Sequence, residues 1–134
     1  MNIVLGIFFI LHGLVHLLYS GQSARLFQLR PGMVWPDGSW VFAGFLENET
    51  VRVLAIIACA LAGLGFLVGG IALSASQGWW QPIIIAVAVF SALVFIVFWD
   101  GHAKTMVNTG LVAIIINAAI LITLLVFKWP RFEF

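Results

Sequence analysis

Charge is the scarcest property of this sequence. Only 8% of its 134 residues are Asp, Glu, Lys or Arg, while 63% are hydrophobic; a soluble domain carries about 25% charged residues. So few charges cannot cover a surface facing water, which excludes the soluble globular class. Disordered, collagen-like and coiled-coil chains are excluded too, since each needs a polar or repetitive composition. Six Lys plus Arg against five Asp plus Glu leave no basic patch for nucleic acid. Cys59 is the only cysteine, so an intrachain disulfide, a CxxC redox pair and a thiolate metal centre are out of reach. Set among Ala58, Ala60 and Ala62, it is expected to be a small buried apolar residue. The motifs G-x-S-x-G and H-E-x-x-H and a Gly-rich phosphate loop are missing, so only histidine- or metal-based catalysis stays open.

What remains is a chain of long apolar runs. A membrane-spanning helix needs roughly 20 mostly apolar residues, and four stretches qualify: about 3–19, 51–73, 82–99 and 110–127. The runs are continuous rather than alternating, so a membrane barrel is excluded. The expected fold is all-α: a single-domain four-helix transmembrane bundle, multi-pass in a cell membrane. Met1-Asn2 lacks the basic residues of a signal peptide, and two histidines interrupt the apolar run, so the first segment is expected to stay as a helix. Four crossings put both ends and the 74–81 link on one side, A, and the 20–48 and 100–109 connections on the other, B. Arg25, Arg30, Arg52 and Lys104 on side B outnumber Lys128 and Arg131 on side A, which places side B in the cytoplasm.

Local signals sharpen the layout. Pro82 suits a first helical turn, and Asn48 or Thr50 is placed to cap the second segment. Ser23–Leu29 has the length of a short interfacial helix. Met33–Phe42, with a Pro-Asp-Gly turn at its centre, reads as a short β-hairpin carrying Trp35 and Trp40 on the bilayer surface or over the bundle mouth. Small residues let helices approach closely in lipid: Gly6 and Gly13 in the first segment, Cys59, Gly63 and Gly70 on one face of the second, Gly65 and Gly69 on another, and Gly110 and Ala113 beside Asn117 in the fourth.

Polar groups at membrane depth are costly and point to function or to a buried partner. His12, His16 and Tyr19 form one row on the first helix. His16 lies about 4–5 Å and His12 about 10–11 Å below Tyr19, while Asn117 lies about 12 Å below Thr109, at a rise of about 1.5 Å per residue. His12 and Asn117 therefore reach similar depth and can hydrogen-bond if their helices touch. Glu47, Glu49, Arg52, Asp100, His102, Lys104 and Asn108 converge on the same end, predicting one polar pocket open to side B and built on His12, His16, Tyr19, Arg52 and Asn117.

Four chemistries suit that pocket. His12 and His16 at i and i+4 have metal-ligand spacing, with Asp100 and His102 as further ligands. A haem could use His16 with His102, because two histidines of one helix cannot face each other across the ring. A proton relay, or a site for a quinone or small lipid, could use the imidazoles and Asn117 with Arg52 and Asp100 as neighbouring charges, paired or separate. Finally, the polar groups could simply join helices. These chemistries leave three roles open: a non-enzymatic membrane subunit or accessory protein, a metal-, haem- or quinone-linked redox protein, and a small transporter or channel that would need a homo-oligomer or larger membrane complex. The run Leu11-His12-Gly13-Leu14-Val15-His16-Leu17, followed by four apolar segments in about 130 residues, resembles small bacterial membrane proteins and is similar in layout to DoxX-like proteins. That resemblance implies a compact four-helix bundle in a bacterial inner membrane.

Overall fold

The computed structural model describes residues 1–134 and is entirely helical. Its elements are α1 (Asn2–Ser23), α2 (Asn48–Ser74), α3 (Trp80–Val97), α4 (Ala103–Thr109) and α5 (Leu111–Leu121), the last continuing as a π-helical turn over Ile122–Val126. Helices α1, α2 and α3 are each long and apolar enough to cross a membrane. The pair α4 and Leu111–Val126 makes a fourth span if counted as one, bent by 66° between them. The bend falls at Gly110, which is packed against Phe95. Adjacent helices pack in chain order, α1 on α2, α2 on α3 and α3 on α5.

The glycines explain why α1 and α2 lie closest. A Cβ on Gly13 would sit 2.7 Å from the Gly63 carbonyl oxygen, and one on Gly70 would sit 2.7 Å from that of Gly6. Backbone meets backbone at both levels, as small residues permit in lipid. Gly65 and Gly69 instead receive Val87 and Ile84 of α3, so the second small stripe is used within the chain. Pro82 falls in the first turn of α3, as its missing N–H favours.

Three local expectations are corrected. The 24–47 segment contains no strand, so the predicted hairpin over Met33–Phe42 is absent. Within itself the chain there makes only local turn bonds, such as Met33 N to the Arg30 carbonyl and Ala43 N to that of Ser39, and its longer-range bonds go to helix ends. Ser39 Oγ donates to the Val97 carbonyl, Trp40 Nε1 to that of Ile96 at 2.7 Å, and Trp40 N to that of Trp99 at 2.8 Å. These carbonyls, around the end of α3, would otherwise be orphaned. The predicted helix over Ser23–Leu29 is absent as well, because α1 runs on to Ser23. Ser20 Oγ and Ser23 Oγ donate across to the Ile56 and Arg52 carbonyls and hold this last turn against α2. Neither Asn48 nor Thr50 caps α2; Glu47 holds the cap position and makes no side-chain cap bond.

Helix α1 closes with a Schellman pair of bonds, Arg25 N to the Gln22 carbonyl and Leu26 N to the Gly21 carbonyl. This places Arg25 in the left-handed region, at φ +59°, a position that glycine normally takes. A Cβ there costs about 1–2 kcal/mol, more than the 0.3–1 kcal/mol a basic side chain typically gains at an exposed helix C-terminus.

Two outcomes follow for thermal unfolding in detergent. Gly13→Val should destabilise by about 1–3 kcal/mol through overpacking, whereas Gly78→Ala, whose nearest neighbour is 3.8 Å away, should be close to neutral. Arg25→Gly should leave the fold equally stable or stabilise it by up to about 1 kcal/mol.

Candidate functional site

Near the middle of three helices one or two polar positions interrupt the apolar core. On α3, Ser91 lies between Ala88 and Val94; on α5, Asn117 lies between Ala113 and Ile120; on α1, His12 and His16 lie between Phe9 and Tyr19. Ala88, Ile120 and Phe9 belong to a core cluster in the side-A half, while Val94 and Ala113 belong to a second in the side-B half, with Tyr19 packed against it. The polar residues thus form a layer between two apolar ones. Ser91 and Asn117 have no exposed surface, His16 retains 1% and His12 6%.

Their hydrogen bonds make a circuit whose direction follows from chemistry. His16 Nδ1 lies 2.9 Å from the His12 carbonyl oxygen; a carbonyl only accepts, so Nδ1 carries the proton. With the ring neutral, His16 Nε2 must accept, and Ser91 Oγ donates to it across 2.5 Å. The Ser91 oxygen in turn accepts from Asn117 Nδ2 at 2.7 Å. Asn117 Oδ1 then accepts from His12 Nε2 at 3.2 Å, closing the loop onto the residue where it began. The expected His12–Asn117 contact is therefore present. Ser91, which the sequence reading passed over, lies at the centre of the network. Its signal was available: it is the only polar residue between Pro82 and Trp99.

Aromatic rings enclose this knot. Phe66 packs on both imidazoles at centroid distances of 4.6 and 5.3 Å, and Phe95 packs on His16 at 5.8 Å. Toward side B, Tyr19, Trp35 and Phe95 form a mutually packed layer with centroids 5.0–5.4 Å apart. Tyr19 is fixed there by donating its hydroxyl to the Thr109 carbonyl at 2.5 Å. None of the five main cavities is lined by His12, His16, Ser91 or Asn117. The side chains predicted for one pocket thus lie in two tiers, a polar knot and, beyond the aromatic layer, separate surface basins.

The remaining predicted site residues sit in the outer tier. Arg52 bonds through Nε to the Ser23 carbonyl at 3.1 Å and pairs with Glu49 at 2.6 Å; it joins the end of α1 to the start of α2 and makes no pair with Asp100. Asp100 accepts from the His102 backbone N–H at 2.9 Å, and the His102 ring is exposed. Asp100, Lys104 and Asn108 line a basin of about 490 Å³ together with Arg30 and Asp37. His12 and His16 are thus not brought together with Asp100 and His102, and no three His, Cys, Asp or Glu side chains converge in metal-binding geometry. Cys59 is buried, as expected. No family model, curated protein or solved structure matches the chain.

The circuit makes a graded prediction. Asn117→Ala removes two bonds and orphans groups on Ser91 and His12, so it should destabilise by about 1–3 kcal/mol. A double-mutant cycle between His16 and Ser91 should return a coupling of about 0.6 kcal/mol, the average for interhelical hydrogen bonds in a membrane, and no more than about 1.7 kcal/mol. Unfolding in detergent followed by circular dichroism measures both.

Proposed function

We propose that the chain is a four-span integral membrane bundle that works as a non-enzymatic subunit or accessory protein, with the His12–Asn117–Ser91–His16 circuit as its intramembrane lock. The observation that carries this reading is the use of polar atoms. Of the polar side-chain atoms meeting at the knot, only His12 Nδ1 lacks a hydrogen-bond partner, and no main cavity reaches them. A group that must bind substrate needs free donors and acceptors; here they are spent on joining three helices. Counting α4 with Leu111–Val126 as one crossing returns both ends to side A, and the excess of basic residues then puts side B in the cytoplasm. The DoxX-like affiliation is part of the same proposal and rests on the sequence resemblance alone.

A second reading, a quinone-linked protein, draws on a different feature. An apolar groove of about 260 Å³ between α1 and α5 is lined by Leu5, Phe8, Phe9, Ile116 and Ile120, among others. Phe8 stacks on His12 with ring planes 5° apart, so one wall residue of the groove packs on the ring that carries the one unpartnered imidazole nitrogen. A quinol hydroxyl could donate to that nitrogen while its tail lay in the groove.

Two measurements separate these readings. Wild-type protein and the His12→Leu/His16→Leu double variant are purified, extracted for quinone and assayed for metal and visible absorbance. Wild-type protein free of all three, with the variant unfolding at lower temperature, supports the lock. A stoichiometric redox group retained by the wild type and lost from the variant overturns it. Photo-crosslinkers at the exposed positions Leu61 and Ile115 should give adducts with a second polypeptide in native membranes; lipid adducts alone at both would overturn the subunit role.

A further inference from the structure

The end of α1 and the chain leaving it enclose a cavity of about 390 Å³, lined by Gln22, Arg25, Phe27, Met33, Trp35 and Arg52 among others. Its lining combines two guanidinium groups and the carboxamides of Gln22 and Gln28 with apolar side chains, and no carboxylate lines it. The wall is held in place by Gln22, which is buried and spends both ends of its amide on the loop: Nε2 donates to the Met33 carbonyl at 3.1 Å, and Oε1 accepts from Leu29 N at 2.7 Å.

The two arginines still have donors to offer. Arg25 makes no side-chain hydrogen bond or ion pair, and Arg52 uses Nε and Nη1 but leaves Nη2 without a partner. Glu49, the one acid touching Arg52, is 71% exposed and outside the cavity. Arg25 also holds a backbone position that favours glycine, so the fold alone gives no reason for a long cationic side chain there. Depth matters as well. The 22 residues of α1 span about 33 Å, close to the hydrocarbon thickness of roughly 30 Å, which sets Arg25 and Arg52 at headgroup level.

We propose that this cavity binds a phosphate group, as carried by an anionic phospholipid headgroup or by a soluble phosphate, with Arg25 and Arg52 as its donors and Phe27, Met33 and Trp35 receiving the attached apolar part. Guanidinium presents several N–H groups in a planar fork that matches phosphate oxygens, and basic pockets between membrane helices are suited to anionic headgroups. The site uses none of the side chains of the knot and stands or falls apart from the role proposed for it.

Full-length protein in a neutral maltoside detergent is titrated with dihexanoyl phosphatidylglycerol, dihexanoyl phosphatidylcholine or inorganic phosphate at matched ionic strength, and thermal unfolding is recorded. Stabilisation by phosphatidylglycerol alone supports a lipid headgroup; stabilisation by inorganic phosphate supports a soluble phosphate. Arg25→Gly, which keeps the fold, should weaken the effective ligand by about fivefold or more, the contribution of one basic residue near a headgroup. Arg25→Lys should retain much of the effect, and Lys104→Gln, a side-B charge outside the cavity, should leave it unchanged. No stabilisation by either phosphate ligand, an equal response to phosphatidylcholine, or a response that survives Arg25→Gly would overturn the proposal.

Discussion

In hydrocarbon there is no water to satisfy a polar group, so every buried donor and acceptor must find its partner inside the protein. That constraint organises this molecule. His12, His16, Ser91 and Asn117 sit at matched heights on three helices because any other height would leave at least one of them orphaned. Their circuit fixes the axial register of α1, α3 and α5 at once. Apolar packing specifies register weakly by comparison, since a Leu or Ile that slips one turn still meets another apolar neighbour. The gain per interhelical bond is modest, near 0.6 kcal/mol on average, but the penalty for misalignment is concentrated at one level.

The glycine contacts complement this lock. Between α1 and α2 there is no side-chain hydrogen bond at mid-depth; backbone approaches backbone at Gly6–Gly70 and Gly13–Gly63 instead. The resulting closeness carries α1, with its imidazoles, toward Phe66 of α2, whose ring packs on both of them. Nearer side B, the 24–47 segment reaches back over the helix ends. Gln22 anchors its first part to α1, Ser39 and Trp40 take up the carbonyls near the end of α3, and Trp35 inserts beside Tyr19 and Phe95. Two rather different devices, a backbone contact and an aromatic cover, pack around the same polar layer.

Much of this was legible in the residues themselves. Four apolar runs, the His12–His16–Tyr19 row and the matched depth of His12 and Asn117 follow from helical rise and the thickness of a bilayer. The long connection was not legible, because Pro-Asp-Gly with flanking tryptophans signals a turn without saying whether its neighbours pair with each other or with a helix end. Here the carbonyls of Ile96, Val97 and Trp99 offered acceptors already in place, and the hairpin lost to them. The 100–109 connection read as a plain loop because seven helical residues, Ala103–Thr109, are too short to show an apolar period; Gly110, against Phe95, bends the chain between this helix and the fourth apolar run. The open pocket was inferred from shared topology, which places residues at one end of a bundle but says nothing about the rings that pack between them.

The spacing of the knot along the chain has a consequence for biogenesis. His16 finds its partner 75 residues downstream and His12 finds its own 105 residues downstream. During synthesis α1 therefore enters the membrane well before Ser91 and Asn117 have been made. Until the last helix arrives, two imidazoles must be sheltered by α2, by the insertion machinery or by water at the channel wall. A nascent chain that ends before residue 91 would carry both imidazoles of α1 and neither of their side-chain partners.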